Sequence, residues 1–212
     1  MKIGIIGGMG SAASVRFYDM LIKKFQERGA VEDFEFPEII LFNLASKGLN
    51  AEGIKDEKII KKDILKAIQC LNMCEIEKII IVCNSVYVYL DYFQKFSDAN
   101  ILNMPKLAMD ECGFFDFGVV CSRTTEKYGI FSKSKFHCSE KDQSTIDYII
   151  ARIISGKSTI DDMLLLEEII IAMQMQGAKK VILGCTELPI ILKRRLADIV
   201  DPCESVIRDI LK

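Results

Sequence analysis

Two cysteines occupy equivalent positions in two copies of one short pattern. Residues 78–85 read KIIIVCNS and residues 180–187 read KVILGCTE, so Cys83 and Cys185 each follow a lysine and an apolar strand-like run. If two related halves of the fold face each other, these thiols lie on opposite sides of one cleft. Two opposed acid–base groups are what inversion at a carbon requires, because one removes a proton and the other returns one to the opposite face.

A thiol needs a tuned environment before it can act as a base. Free cysteine has a pKa of about 8.5, so only a few per cent is thiolate at pH 7. Lowering this pKa to about 7 corresponds to about 2 kcal/mol of thiolate stabilisation. Backbone amides at a helix N-terminus can supply it, and residues 84–85 and 186–189 are typical of a strand-to-helix turn. The same turns are suited to holding a substrate carboxylate.

Other catalytic chemistries lack the residues they need. A Cys–His pair or a Ser-His-Asp triad would depend on the single histidine, His137. No lysine stands out as a Schiff-base partner for pyridoxal phosphate. The cysteines form no Cys-x-x-Cys pair, which argues against zinc. We therefore predict no cofactor and no metal. The other six cysteines are interpreted as small buried hydrophobes or unreactive thiols: Cys70, Cys74, Cys112, Cys121, Cys138 and Cys203.

Strands and helices that alternate along the chain must position the two thiols. Apolar runs without polar alternation predict strands buried on both faces. The predicted strands are 2–6, 38–42, 78–82, 117–120 and 181–183, and the predicted helices are 55–74, 145–155, 159–176 and 205–211. This order predicts an α/β fold of mainly parallel sheets flanked by helices. Ligands bind beyond the carboxyl ends of parallel strands, where both thiols fall.

The chain also resembles itself. Residues 4–7 (GIIG) and 118–121 (GVVC) are 114 positions apart, and the two cysteines are 102 positions apart. Near-equal offsets predict two pseudo-symmetric α/β domains with the active site in the cleft between them. We place the N-terminal domain, with Cys83, at 1–100 and the C-terminal domain, with Cys185, at 101–204. A last helix over 205–212 is able to pack back on the first domain.

The composition of the chain argues against nucleic acid and lipid bilayers as its binding partners. The chain has 212 residues, of which 50% are hydrophobic, and a formal net charge of −2. This is ample apolar material for buried cores. No basic stripe indicates nucleic acid, and no apolar run is long enough for a membrane span or signal peptide. We expect a soluble cytoplasmic protein whose partner is a small molecule.

A glycine-rich turn competes with this interpretation. Residues 8–13 (GMGSAA) match Gly-x-Gly-x-x-Ala between a strand and a helix, the context of a dinucleotide fingerprint. The second strand should then end in an acidic residue that binds ribose, yet residues 41–44 read LFNL. We prefer a small-anion cradle for a substrate carboxylate. A dinucleotide site and a plain tight turn are the alternatives.

Three motifs together resemble the aspartate/glutamate racemase family. They are residues 5–10 (IIGGMG), 83–85 (CNS) and 184–189 (GCTELP), and the likeness extends over nearly the whole chain. The resemblance implies two α/β domains related by pseudo-twofold symmetry, with the site between them. It also implies pyridoxal-independent racemisation of an acidic amino acid, frequently by homodimers.

The resemblance also implies roles for individual residues. Cys83 and Cys185 match the two catalytic thiols, each acting as base toward one enantiomer and acid toward the other. Residues 121–125 (CSRTT) resemble a family loop of the form Ala-Thr-x-x-Thr, in which Ser122 is a further candidate contact. The implied substrate-binding residues are Met9, Asn84, Ser85, Thr125, Thr186 and Glu187.

Several positions depart from the family pattern, and they leave the substrate open. Ser11 replaces a usual proline, and Tyr87 stands where a histidine often follows the first thiol. In some members, basic residues bind the side-chain carboxylate of the substrate. Lys47 and Arg152 lie in the corresponding regions of this chain, although each can also be interpreted as a solvated surface charge. The alternatives are an isomerase or decarboxylase of a dicarboxylic acid that uses the same thiols, and a non-catalytic carboxylate-binding protein.

Two further stretches have plain interpretations. Aromatic residues between 87 and 96 are predicted to lie on one helix and to serve core or subunit-interface packing. The basic run 193–195 is interpreted as a solvated turn.

Overall fold

The computed structural model describes residues 1–114, 116–192 and 196–212. The strands are β1 (Lys2–Gly7), β2 (Glu38–Asn43), β3 (Leu49–Asn50), β4 (Gly53–Ile54), β5 (Lys78–Ile81), β6 (Asn100–Ile101), β7 (Phe117–Val120), β8 (Lys180–Leu183) and β9 (Ile199–Val200). The helices are α1 (Ser11–Glu27), α2 (Glu57–Asn72), α3 (Leu90–Gln94), α4 (Met104–Cys112), α5 (Arg123–Lys127), α6 (Glu140–Ile154), α7 (Ile160–Met175), α8 (Leu188–Ile191) and α9 (Pro202–Ile210), with 3-10 helices at Asp33–Glu35 and Asn84–Tyr89.

Two parallel sheets form the frame of the molecule. The first has the strand order β2-β1-β5-β6 and the second the order β7-β8-β9. Pairing is parallel throughout both sheets, while β3 and β4 form a separate antiparallel hairpin. Ile79, Ile80 and Ile81 on β5 are fully buried, as expected for strands that helices cover on both faces.

The strand order repeats between the two sheets. In the first sheet β5 lies between β1 and β6, and in the second β8 lies between β7 and β9. β5 and β8 therefore hold equivalent places, and each is followed by one of the two cysteines. Hydrogen bonds near the strand ends extend the frame, since Val82 N donates to Ile6 O and Gly184 N donates to Val120 O.

Helix packing connects the two sheets. α4 follows β6, yet its Ala108 and Cys112 belong to the hydrophobic cluster of Ile182 on β8. α9 follows β9, yet its Val206 and Ile207 belong to the cluster that surrounds β1. Each sheet is thus covered in part by a helix whose preceding strand lies in the other sheet. The domain boundary at residue 100 stays a prediction.

The predicted fold class is confirmed, with differences in individual elements. The helix predicted over 145–155 begins earlier, at Glu140, because Ser139 caps it by accepting a hydrogen bond from Asp142 N. A single helix for the aromatic stretch is wrong, since a 3-10 helix over Asn84–Tyr89 precedes the short α3 and Phe96 lies beyond both. The basic run 193–195 lies outside the described residues. Within the described ranges, every helix is too short or too polar to cross a lipid bilayer.

Candidate active site

The two cysteines line one cavity at the carboxyl ends of β5 and β8. Its volume is about 160 Å³, and Cys83 and Cys185 both contribute to its wall. The turn after β1, the β3–β4 hairpin and the C-terminal part of α6 complete the wall. The structure therefore brings together thiols that are 102 positions apart in the chain.

Cys83 is buried at the start of the 3-10 helix. Its pKa is raised to about 12 by burial first and by the charge of Glu187 second. The backbone amides of Ser85 and Val86 and the Ser85 hydroxyl act in the opposite direction. The expectation that helix-end amides lower this thiol pKa overall is wrong for the free protein, because desolvation outweighs two amide hydrogen bonds.

Cys185 has a carboxylate as its immediate partner. Its Sγ donates a hydrogen bond to Glu187 Oε2 at 3.0 Å, and Thr186 Oγ1 donates to the same oxygen at 3.0 Å. Desolvation and then the nearby Glu187 charge raise the pKa of Cys185 well above its usual value. Cys83 also raises it, in accord with two thiols close enough to interact electrostatically. Cys185 is thus a protonated thiol that points its proton at a base.

Glu187 also connects the segment after β8 to the glycine-rich turn after β1. Gly10 N donates to Glu187 Oε1 at 3.2 Å, and a side chain at Gly10 would place its Cβ 2.7 Å from that oxygen. Gly8 has φ +86° and lies against the Leu44 backbone, while its N–H donates to Ser14 Oγ. The two glycine amides are therefore used within the protein, so Glu187 occupies part of the predicted anion cradle.

Three hydroxyls form a cluster beside Cys83. Ser85 Oγ lies 2.8 Å from Thr125 Oγ1, and Ser122 Oγ lies 3.0 Å from the same atom. Ser85 and Ser122 line the cavity. Thr125 is only 1% exposed and lies behind them. Thr125 is therefore placed to orient the two serine hydroxyls.

Asn84 links the segment after β5 to the segment after β8. Its Nδ2 donates to Gly184 O at 2.9 Å, next to Cys185. Its Oδ1 is buried and has no hydrogen-bond partner among the residues that the structure describes. Asn84 is not among the residues that line the cavity, so its part in the site is this link between the two halves. Thr186 is buried behind the cavity wall.

The remaining candidates divide between the cavity and other regions. Met9 lines the cavity. Lys47 and Arg152 are not among its lining residues, and Arg152 Nε instead binds both carboxylate oxygens of Asp162, at 2.9 and 3.1 Å. His137 contacts Glu126 Oε1 at 2.9 Å, outside the cavity.

Two departures from the family pattern also have structural explanations. The Tyr87 hydroxyl donates to Leu102 O at 3.0 Å and accepts from Ile81 N at 3.3 Å. This side chain therefore ties the 3-10 helix to β5 and to the segment after β6. Ser11 is the first residue of α1, a position that proline would also fit.

Sequence reasoning missed two walls of the cavity. Leu49, Asn50 and Ala51 come from the β3–β4 hairpin, and Ile150 and Ile154 come from α6. The glycines that flank the hairpin region were a usable turn signal. The two isoleucines are four positions apart and so share one helix face, but their apolar spacing indicated only a buried face.

The cysteines and acidic residues of the described ranges are not grouped as a metal centre requires. All eight cysteines are free thiols. Among residues 1–114, 116–192 and 196–212, no group of three His, Cys, Asp or Glu side chains is placed to hold a metal ion.

Comparisons with known proteins show the family and the fold. The family model described as Asp/Glu/Hydantoin racemase matches residues 6–210. The Picrophilus torridus aspartate racemase is 21% identical with a TM-score of 0.82, and the match covers 99% of this chain and 92% of that one. Glutamate racemase from Francisella tularensis is 18% identical with a TM-score of 0.70, covering 99% and 79%. Allantoin racemase from Klebsiella pneumoniae is 15% identical with a TM-score of 0.68, covering 100% and 86%.

Proposed function

The chain belongs to the Asp/Glu/Hydantoin racemase family, and we propose that it inverts one stereocentre of a small substrate without a cofactor. The observation that carries the proposal is the shared cavity of Cys83 and Cys185. One thiolate takes the proton from the substrate carbon, and the other thiol delivers its own proton to the opposite face. The product is the mirror image of the substrate, and the two cysteines have exchanged protonation states.

Forming the required thiolate is the first demand on the site. With a pKa of about 12, the Cys83 thiolate at pH 7 costs about 7 kcal/mol in the free protein. Glu187 Oε2, 3.0 Å from Cys185 Sγ, is placed to accept the Cys185 proton. A cationic group on a bound substrate would also stabilise either thiolate, because opposite charges at short range favour the ionised form.

Holding the substrate is the second demand. The Ser85 and Ser122 hydroxyls line the cavity, and Thr125 Oγ1 lies within hydrogen-bond distance of both. We assign them to an oxygen of the substrate's carboxylate or carbonyl. Such donors stabilise the negative charge that develops when the adjacent carbon loses its proton.

The resemblance makes aspartate and glutamate the first substrates to test, and a homodimer the first assembly to look for. The names of the structural neighbours support an acidic amino acid, because they include an aspartate and a glutamate racemase. They also widen the choice, because one neighbour is an allantoin racemase and the family description includes hydantoin.

The test uses protein freed of small molecules by dialysis and no added cofactor. L- and D-aspartate, L- and D-glutamate, neutral amino acids and 5-substituted hydantoins are incubated singly, and chiral chromatography follows the opposite enantiomer. We expect inversion of at least one substrate, with the carbon skeleton intact, and its loss in Cys83→Ala and Cys185→Ala. Decarboxylated product would favour the decarboxylase alternative, and binding without inversion would favour a non-catalytic binding protein. Normal inversion by either variant would overturn the proposed roles.

A further inference from the structure

One buried serine outside the cavity holds the glycine-rich turn that forms part of the cavity wall. Ser14 lies in the first turn of α1, is only 1% exposed and is not among the lining residues. Its Oγ accepts a hydrogen bond from Gly8 N at 2.9 Å and donates one to Gly10 O at 2.9 Å. The two bonds lie on either side of Met9, which does line the cavity. One hydroxyl group therefore fixes both ends of this turn.

The bond to Gly10 O has an ordinary explanation that the bond from Gly8 N does not share. Serine hydroxyls inside helices commonly donate to the carbonyl four residues earlier, which here is Gly10 O. Gly8 lies ahead of the helix, which begins at Ser11. The close approach also needs Gly7, because a Cβ at that position would lie 2.5 Å from Ser14 Oγ. The serine thus binds the turn itself and not only its own helix.

The same turn reaches the carboxylate beside the second thiol. Gly10 N donates to Glu187 Oε1 at 3.2 Å. The other oxygen, Oε2, accepts from Cys185 Sγ and Thr186 Oγ1. The last torsion of a glutamate side chain has broad minima, so a carboxylate held by one oxygen is free to turn. Gly10 N holds Oε1 from the first half of the molecule, and both oxygens are then fixed.

We propose that Ser14 is a positioning residue for proton transfer at the second thiol. Its hydroxyl holds the turn in the place from which Gly10 N fixes the Glu187 carboxylate. This inference rests on the proposed racemisation. In the step concerned, the Cys185 S–H bond breaks, the proton moves to Glu187 Oε2, and the electron pair stays on sulfur. The thiolate then takes the substrate proton, and the electron pair of the C–H bond stays on the substrate carbon.

The two thiols should therefore differ in their dependence on Ser14. Cys185 needs a Glu187 oxygen in hydrogen-bond contact, because that oxygen accepts its proton. Burial and then the Glu187 charge raise the pKa of Cys83, and this charge persists when the carboxylate turns. A residue that only stabilised the fold would affect both thiols alike, whereas loss of the Ser14 hydroxyl should affect Cys185 selectively.

The test follows exchange of the substrate's reacting hydrogen in heavy water, by proton NMR, in proteins that keep one thiol. Ser14→Ala is combined with Cys83→Ala, which leaves Cys185 as the base, and separately with Cys185→Ala, which leaves Cys83. We expect Ser14→Ala to slow the exchange that depends on Cys185 about 10-fold or more, because small displacements of a catalytic group are costly. The exchange that depends on Cys83 should change less than about twofold, because uncoupled sites act independently.

Ser205→Ala is the matched control, with rates expressed per folded protein from circular dichroism. Ser205 is also buried, at 5% exposed, and its Oγ also donates to the carbonyl four residues earlier, Asp201 O, outside the cavity. It should leave both exchange reactions unchanged. Slowing by Ser14→Ala that is equal for the two reactions, confined to Cys83 or absent overturns the inference and leaves the proposed racemisation intact. Selective slowing in Ser205→Ala would overturn it as well.

A labelling arm keeps the two proposals separable. If neither single-thiol protein exchanges the hydrogen of any substrate, the proposed racemisation fails, and iodoacetamide labelling of Ser14→Ala with both thiols present then decides the inference. Burial, the Glu187 charge and the hydrogen bond to Glu187 raise the pKa of Cys185, in that order. A turned carboxylate loses this hydrogen bond, so Cys185 should label faster. We expect the ratio of Cys185 to Cys83 labelling, read by mass spectrometry, to rise about threefold or more over the wild type, and an unchanged or lower ratio overturns the inference.

Discussion

The two cysteine-bearing strand ends share one frame and differ in what surrounds the thiol. Cys83 follows β5 and Cys185 follows β8, each a strand with a parallel neighbour on both sides. After Cys83 the chain enters a 3-10 helix whose first side chains, Asn84 and Ser85, are buried and neutral. After Cys185 it places Glu187 against the thiol itself. The repeat therefore fixes where the two thiols lie, while the residues that follow give each thiol a different proton partner.

Each strand end is also held by the opposite half. Asn84 Nδ2 donates to Gly184 O, and Gly10 N donates to Glu187 Oε1, so two hydrogen bonds join the halves that carry Cys83 and Cys185. These contacts join residues 100 and 177 positions apart. The cavity width thus depends on polar contacts as well as on the packing of α4 and α9.

The largest expected effect comes from removing each thiol in turn. Cys83→Ala and Cys185→Ala should each lower inversion about 10³-fold or more, because a general acid–base group is lost. The remaining thiol still removes a proton from one face. We therefore expect exchange of the substrate's reacting hydrogen in heavy water to persist with one enantiomer in Cys83→Ala and with the opposite one in Cys185→Ala, measured by proton NMR.

Cys112→Ala is the matched control, because Cys112 is buried in the hydrophobic cluster of Ile182, outside the cavity. It should keep wild-type inversion. If both catalytic variants exchange the same enantiomer, the thiols do not serve opposite faces.

A smaller effect is expected from Glu187→Gln, which removes the charge that distinguishes the second strand end. The Glu187 charge raises the pKa of Cys83 and Cys185, so its removal lowers both and increases the thiolate fraction at a given pH. Inversion should nevertheless fall about 10²-fold, because the proton acceptor of Cys185 is lost. Iodoacetamide labelling, read by mass spectrometry, should become faster while turnover becomes slower.

Glu204→Gln provides the comparison, since Glu204 lies outside this cavity and is 43% exposed. Neither labelling nor turnover should change in it. Slower labelling in Glu187→Gln would show that the carboxylate does not act on the thiols as described.

Thr125→Val tests the hydroxyl cluster of the first strand end. The variant keeps the side-chain shape but removes the oxygen that contacts Ser85 and Ser122. We expect KM to rise about 10-fold and the free energy of unfolding to fall by about 1–2 kcal/mol. Thr125→Ser, which restores the hydroxyl, should recover the KM. Loss of stability without a change in KM would limit Thr125 to a structural role.

The smallest effect concerns stability at alkaline pH. Burial raises the pKa of Cys83 to about 12, whereas an unfolded chain has a thiol pKa of about 8.5. Above about pH 8.5 the thiol is ionised in the unfolded state but still protonated in the folded state. The free energy of unfolding therefore falls as pH rises toward 12, by up to about 1.4 kcal/mol per pH unit. The free energy of unfolding, measured with urea at several pH values between 9 and 10.5, should fall less steeply with pH in Cys83→Ala than in the wild type. An identical pH dependence in the two proteins would contradict this assignment.

The sequence predicted the frame of the site better than its chemistry. The apolar runs before Cys83 and Cys185 identified the inner strands, because strands covered on both faces lack polar alternation. The contact between Gly10 and Glu187 joins residues 177 positions apart, and no local pattern encodes such a distance. The role of Asn50 was equally hidden, because the β3–β4 hairpin has two-residue strands and leaves little periodic signal.

The two-base transfer between Cys83 and Cys185 is tested most directly by the isotope content of both enantiomers early in the reaction. A single enantiomer of the best substrate is converted in heavy water to about a tenth of completion, and both enantiomers are separated and analysed by mass spectrometry. We predict deuterium at the stereocentre of the newly formed enantiomer and retained hydrogen in the unreacted one, because the delivering thiol carries a solvent deuteron. Equal deuterium in both enantiomers would mean that one base serves both faces, and would contradict the assignment of Cys83 and Cys185 as opposed partners.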